Sequence, residues 1–237
     1  MMRGKRKVND MFETPIISET SNILDEIKNL FTEKNILLNE KIDNANQDIS
    51  IELINKNNNN VIGQINGGVG EFKIIENGQE VELNAFSISW VKVEDNYQGY
   101  NLGTFLIIYC IYLVKMNFSD IVYIVLDDDS DGRDVNNNIY YKLGFIYQET
   151  KEVQSDDGTK SIVNAAPEMQ LNINEFFNND LLMKLNKMKM KIRNLVTSVV
   201  GGKGKRKIQS RKNRKSKLRS KVRKGKSKKN RKTNRHK

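Results

Sequence analysis

The sequence predicts an α/β (α+β) chain: a mixed, mostly antiparallel sheet flanked by helices, with a helix and a basic tail added at the C-terminus. Three observations lead there. Between residues 49 and 93, short stretches alternate apolar and polar side chains and are separated by Asn- and Gly-rich turn signals. Residues 102–116 then change to helical period with almost no polar face. Residues 121–126 are a continuous apolar run of strand length, the type expected where a sheet is covered on both faces. No period of 20–50 residues recurs, which excludes a solenoid.

Residues 1–20 read as a flexible arm. Ser21 or Asn22 can cap a helix running to about Lys34, with Ile23, Ile27, Leu30 and Phe31 on one face. Ile49, Ile51 and Leu53 alternate with polar residues, Asn57 to Asn60 turn the chain, and residues 61–65 return: strand, turn, strand. Gly67, Gly68 and Gly70 are expected to interrupt the ladder before a short strand at 71–76. After the turn signal Asn77-Gly78, residues 81–93 form an extended stretch longer than the usual strand, so a bulge is expected inside it. The buried helix follows, with Leu102, Phe105, Leu106, Tyr109, Leu113 and Met116 on one face. Then come the strand at 121–126, a polar loop at 127–134, and a short helix ending at Leu143 with Gly144 as its C-cap. Residues 145–148 and 168–173 are the last strands of a domain spanning 21–173, with an acidic turn around Asp156 and Gly158 between them. Within 174–200, Leu181, Leu185, Met188, Ile192, Leu195 and Val199 make a short heptad seam, which either packs on its own domain or forms a short dimer coil over 181–199.

Charge is segregated. Residues 201–237 hold 20 Lys and Arg and no acidic residue, whereas residues 1–200 hold 20 basic and 29 acidic, a net of −9. The overall +11 therefore describes neither part. The tail has Ser, Asn and Gly between its charges and little to bury, so it is expected to be disordered alone. It is also expected to contact polyanions. It has no aromatic residue, so DNA or RNA would be held through phosphates without sequence preference. A merely solubilising tail is the alternative.

Composition excludes several chemistries. The only His is His236, which leaves no imidazole for a Ser-His-Asp or Cys-His relay or a zinc site. The only Cys, Cys110, sits inside the apolar helix and reads as a core residue; no disulfide framework can form. The longest apolar run is ten residues, half a membrane span, and the basic start lacks the apolar segment of a signal peptide. A soluble intracellular protein is expected, without membrane contact, in the nucleus or another nucleic-acid-rich compartment. Asn, Lys and Ile supply 85 residues, as in an AT-rich genome such as that of a protist or a large DNA virus. The run Asp127-x-Asp129-x-Asp131-Gly132 copies half of a calcium loop. It has Asn138 where the bidentate Glu belongs, and a strand before it, so no metal is expected.

The strongest constellation lies where the long strand meets the buried helix, at Gln98-Gly99-Tyr100-Asn101-Leu102-Gly103-Thr104. A loop of small residues opening a helix presents free N–H groups at the positive end of the helix dipole, a site for an anion such as a pyrophosphate. Gly99 and Gly103 let the ligand approach, and Asn101 tolerates a left-handed backbone. No GxxxxGK[ST] is present and the spacing does not fit GxGxxG.

These residues resemble the signature of the GNAT superfamily of N-acetyltransferases: Arg or Gln, two residues, Gly, one residue, Gly or Ala. Asn101 stands where Gly is usual. Asn138-Ile139-Tyr140-Tyr141-Lys142-Leu143-Gly144-Phe145 is similar to the family's second motif, and Pro167-Glu168-Met169-Gln170-Leu171 to its last strand. The resemblance covers residues 47–173. It implies that backbone N–H groups from Gln98 through Gly99, Tyr100, Asn101, Leu102 and Gly103 to Thr104 hold the pyrophosphate of acetyl-CoA. It further implies that the strand edge at Val91 and Val93 pairs with the pantetheine amides, and that an N–H near Val91 polarises the thioester. Tyr141 matches the tyrosine that protonates the leaving thiolate. Asn137 and Asn138, with Asp134 a third, are candidates for the pantetheine-binding Asn. The position of the base used by histone-directed members is Ser87, leaving Glu82, Asp127 and Asp128 as carboxylates that could take the amine proton. The expected activity is acetyl transfer to a primary amine (a protein lysine, an N-terminus or a polyamine) by direct attack in a ternary complex. The acidic body favours a cationic acceptor. The alternative is an inactive fold of this kind serving as a nucleic-acid-binding or packaging protein.

Overall fold

The computed structural model describes residues 15–128, 138–154, 160–164 and 167–195. The chain divides into Met1–Ser198 and Val199–Lys237, and the second unit, with the whole basic tail, lies outside the described residues, as does the N-terminal arm as far as residue 14.

Helix α1, Pro15–Glu33, already exists at Pro15, six residues before the expected cap; proline is tolerated in a first turn because the N–H it lacks has no partner there. Thr20, Ile23, Leu24, Ile27 and Phe31 form its buried stripe. Strand β1, Ile36–Asp43, is an addition to the expected set. Only Ile36 on it is buried, so no alternation betrays it. It is defined by its hairpin with β2, Asp48–Asn55, whose turn is closed by the Asp43 carboxylate accepting from the N–H groups of Ala45 (3.0 Å) and Asn46 (3.1 Å).

Strand β3 runs unbroken over Asn60–Glu76, against the expectation that Gly67, Gly68 and Gly70 would interrupt it. The glycines answer crowding instead. A Cβ at Gly67 would lie 2.2 Å from the Ser87 carbonyl oxygen and 2.6 Å from the Phe86 ring, and one at Gly68 would lie 2.1 Å from Asp48 Oδ1. Asn77 (φ 51°) and Gly78 (φ 77°) turn the chain into β4, Gln79–Val93, as the Asn-Gly signal predicts. The expected bulge is at Ser89: Asn66 pairs with Trp90 but Gly67 with Ile88.

Helix α2, Leu102–Asn117, crosses from β4 to β5, Tyr123–Asp127. The remaining elements are α3 (Ile139–Leu143), β6 (Ile146–Tyr147), β7 (Thr150–Gln154), β8 (Lys160–Asn164), β9 (Glu168–Asn172), α4 (Ile173–Phe176) and α5 (Asn179–Arg193). Seven strands form one sheet in the order β1-β2-β3-β4-β5-β9-β6, antiparallel throughout except for β4 beside β5; β7 and β8 pair separately. The core fills the face carrying α2, where Phe105 stacks on Tyr109 and meets Phe31 edge-on at 4.9 Å.

Leu181, Leu185, Met188, Ile192 and Leu195 are all buried, with α5 packed on α1 and the Lys189 ammonium bonded to Glu26. The described part of the heptad seam thus packs on its own domain; Val199 lies outside the described residues. Among the described residues no helix is long and apolar enough to cross a membrane.

Candidate active site

The site begins with a parting of strands. β4 and β5 pair only at Phe86 with Ile124 and at Ser87 with Val125; beyond Ser87, the rest of β4 has a strand partner on the β3 side alone. The Glu94 N–H donates to the Ile62 carbonyl of β3 at 3.0 Å. By the two-residue alternation of a strand, Val91 and Val93 therefore turn their amides and carbonyls away from β3, into the gap. An extended ligand lying in that gap can add to the sheet as a strand would.

Past Val93 the chain makes one 3-10 turn, Asp95–Tyr97, and enters the loop. Tyr97 anchors it: its phenol oxygen accepts from the buried Asn55 amide at 2.9 Å. Gly99 (φ 87°) and Asn101 (φ 64°) both take the left-handed conformation, so Asn101 fills the role of the more usual glycine without distorting the turn. Asn101 caps α2 through its backbone, its carbonyl accepting from Phe105 N–H at 2.9 Å. The N–H groups of Leu102, Gly103 and Thr104 lie in the first turn, where no intrahelical acceptor exists. A Cβ at Gly103 would meet only Val93 Cγ2, at 3.6 Å.

A cleft of about 320 Å³ follows this path. Val91, Val93, Gln98, Gly99, Asn101, Leu102, Gly103 and Thr104 line it, together with Tyr97, Ile107, Ile139 and Tyr140, to which the sequence assigns no role. Tyr100 contributes backbone to the loop, but its ring packs on the core. The Gln98 amide is turned inward, donating to Asp95 Oδ1 at 3.0 Å and the Val93 carbonyl at 3.3 Å, so this side chain clips the loop to the strand end. From Glu94 to Thr104 the loop carries two carboxylates and no cation. Lys92 pairs with Glu94 at 3.1 Å, and a second nearby cation comes from outside the region of resemblance: Lys191 of α5 donates to Asn101 Oδ1 at 3.2 Å.

The tyrosine assignment shifts by one residue. Tyr141 is 46% exposed and lines a different hollow, with Tyr123, Ile146 and Lys184. Tyr140, half-buried and edge-on to Phe145 at 6.0 Å, lines the cleft, as does Tyr97, whose phenol oxygen is engaged by Asn55. Tyr141, about 100° further round the helix, lies on the side of that other hollow.

The carboxylates separate too. Glu82 faces Lys73 across the hairpin, nine strand residues from Val91, or roughly 30 Å at about 3.3 Å per residue, too far to serve as a base there. Asp128 is 1% exposed and accepts from Asn138 and Tyr147, so it is engaged inside the fold. Asp127 ends β5 beside Ser87, at a hollow of about 580 Å³ also lined by Glu71, Glu80, Glu149 and Glu168. Lys73 there bonds Glu80 at 2.8 Å, an interaction that raises its pKa and keeps it charged. Asn138 is committed to its own helix and to Asp128, which corrects its assignment to pantetheine; Asn137 and Asp134 lie outside the described residues. Cys110 is fully buried and its thiol is pushed up to about 12, which keeps it from acting as a nucleophile.

The parted β4 and β5, with α2 crossing between them from a glycine loop, decide the architecture. It agrees with the fold that the resemblance to the GNAT superfamily implies. No protein-family model and no curated protein matches the chain. Among solved structures it is similar to a bacterial toxin, at 18% identity and TM-score 0.41, over 54% of this chain and 69% of that one. It is also similar to AtaT complexed with acetyl-methionyl-tRNAfMet, at 12% identity and TM-score 0.41 over 58% and 76%. A KacTA–DNA complex matches at 14% identity and TM-score 0.39 over 58% and 74%.

Proposed function

We propose that this chain is an acetyl-CoA-dependent N-acetyltransferase acting on a primary amine by direct attack. The observation that carries the reading is the open β4 edge at Val91 and Val93, facing Tyr140 across a cleft that ends on the free N–H groups of α2. The donor set fits the coenzyme: N–H groups for a pyrophosphate, a strand edge for successive amides, and apolar Val91, Val93 and Ile107 for the chain between them.

In this site the Val91 N–H polarises the thioester carbonyl and stabilises the oxyanion that forms on it. The amine nitrogen bonds to the carbonyl carbon, the carbon–sulfur bond breaks, and the thiolate takes the proton of the Tyr140 phenol. That phenol replaces Tyr141 in the role; a free phenol's pKa of about 10 lies near that of a thiol, which suits the transfer. The proton lost by the amine goes to water or to Asp127, the candidate carboxylate where β4 and β5 part. The acidic hollow beside Asp127 favours a cationic acceptor, and residues 201–237 would tether the enzyme to DNA or RNA. Asn101 does not weaken the reading, since it adopts the left-handed backbone the loop needs.

Thiol release from acetyl-CoA with a panel of amines (lysine-bearing basic peptides, polyamines, free N-termini) tests this. Amine-dependent release at a rate saturable in both substrates is expected. Tight coenzyme binding with no transfer to any amine would favour the inactive, nucleic-acid-binding alternative.

A further inference from the structure

Three buried side chains join the ends of separate elements behind the cleft. Asp128 (1% exposed) follows β5, Asn138 (7%) begins α3, and Tyr147 (8%) ends β6. The Tyr147 phenol donates to Asp128 Oδ2. Asn138 Nδ2 donates to the same oxygen at 2.6 Å and, with its second hydrogen, to the Tyr147 oxygen at 3.0 Å. On its other side, Asn138 Oδ1 accepts from the N–H groups of Tyr140 (2.7 Å) and Tyr141 (3.0 Å). The Asp128 N–H donates to the Pro167 carbonyl at 2.9 Å, which ties the cluster to the start of β9.

Helix α3 has five residues, far below the length at which a helix holds itself together, so its direction is set from outside. Its first turn hangs on Asn138, and Asn138 is oriented by Asp128. A buried carboxylate is tolerated only with donors around it, and here one oxygen receives two.

We propose that Asp128, Asn138 and Tyr147 are positioning residues, a clamp that aims the Tyr140 phenol into the cleft. The proposal rests on the reading of Tyr140 as the proton donor. A displacement of about 1 Å at a reacting group can cost about 100-fold in rate, so the clamp acts on turnover more than on coenzyme binding.

The hydrogen-bond pattern is met by a carboxylate at 128 with an amide at 138, and is met again with the two exchanged. A carboxylate at 138 still accepts from both tyrosine N–H groups and from the phenol of Tyr147. An amide at 128 still donates to that carboxylate and to the phenol oxygen. Asn138→Asp, which sets two carboxylates against each other, is expected to lower kcat about 10- to 100-fold, with KM for acetyl-CoA within about twofold, whereas Asp128→Asn, whose amide oxygen can still accept both hydrogen bonds, should lose less. The double exchange is expected to recover at least about tenfold over the worse single variant. Amide hydrogen exchange at Tyr140 and Tyr141 reads the clamp without reference to turnover: protection should fall in Asn138→Asp and return in the exchange. An Asn138→Asp variant with wild-type kcat and protection, or a folded double variant no better than Asn138→Asp, would overturn the proposal. If Asn138→Asp fails to fold, Tyr147→Phe serves, because it keeps the ring in the core and removes the phenol's two hydrogen bonds, to Asp128 and from Asn138. About a tenfold loss in kcat at unchanged coenzyme affinity is expected, and no loss overturns the clamp. Protection that follows the clamp while Tyr140→Phe keeps full turnover would instead overturn the acid assignment alone.

Discussion

Replacing Tyr140 and Tyr141 one at a time by Phe separates two adjacent phenols by geometry alone. Tyr140 is fixed at both backbone ends, its N–H bonded to Asn138 Oδ1 at 2.7 Å and its carbonyl accepting from Phe145 N–H at 3.1 Å; its ring meets Phe145 edge-on. Tyr140→Phe keeps all of these and deletes one oxygen from the cleft. Loss of a positioned proton donor costs about 100- to 10,000-fold, equivalent to about 2.7–5.5 kcal/mol at about 1.36 kcal/mol per tenfold. Tyr141→Phe removes a solvated oxygen from a side chain outside the cleft, and a change under about twofold is expected. Thiol release measured at saturating acetyl-CoA, under conditions where chemistry limits turnover, gives the rates; calorimetry should show unchanged coenzyme affinity in both. The opposite ranking, or wild-type turnover in both, would refute the reasoning and remove the phenol from the mechanism.

Gly103→Glu places bulk and a like charge against the proposed pyrophosphate site and should reduce acetyl-CoA affinity by more than about 100-fold in calorimetry, whereas Gly103→Ala should bind normally, since its Cβ meets only Val93. Lys191→Ala removes the cation at the lip of the loop; affinity should fall about three- to tenfold at low salt, with the difference fading as salt screens it. Ending the chain after Val200 should leave acetylation of a small free amine nearly unchanged and abolish DNA binding. In the full chain that binding should weaken steeply with salt, log K falling by about 0.9 per neutralised phosphate for each tenfold rise. Equal DNA affinity with and without the tail would exclude it as the binding element.

The parts of the fold legible in the sequence are those where burial imposes a period. Ile49, Ile51 and Leu53 on β2, and the run from Phe105 to Val114 on α2, declare themselves because a single face or the whole surface must leave water. The loop from Gln98 to Thr104 was legible because its glycines answer a backbone requirement. β1 was hidden because it borders the sheet and buries one residue. The unbroken course of β3 was hidden because Gly67 and Gly68 leave room for Ser87, Phe86 and Asp48, neighbours distant in sequence. The choice between Tyr140 and Tyr141 depends on how a one-turn helix is rotated, which Asn138, Asp128 and Tyr147 decide through tertiary contacts. The same contacts took Asp128 and Asn138 out of the roles their residue types suggested.

The bulge at Ser89 bears on how stability and activity are balanced in this chain. It is an extra residue: Phe86 and Ile88 on one side of it, and Val91 and Val93 on the other, all present their side chains to the same core. Removing Ser89 would therefore leave every later residue of β4 facing as it does now and take away only the bend. A straightened β4 would continue beside β5, closing hydrogen bonds that now stand open. The shortened chain is expected to melt at a higher temperature and to lose acetyl-CoA binding, because the ladder would be completed by the protein's own strand. The interruption is thus a local instability that the active fold retains, and selection for heat resistance alone would tend to erase it.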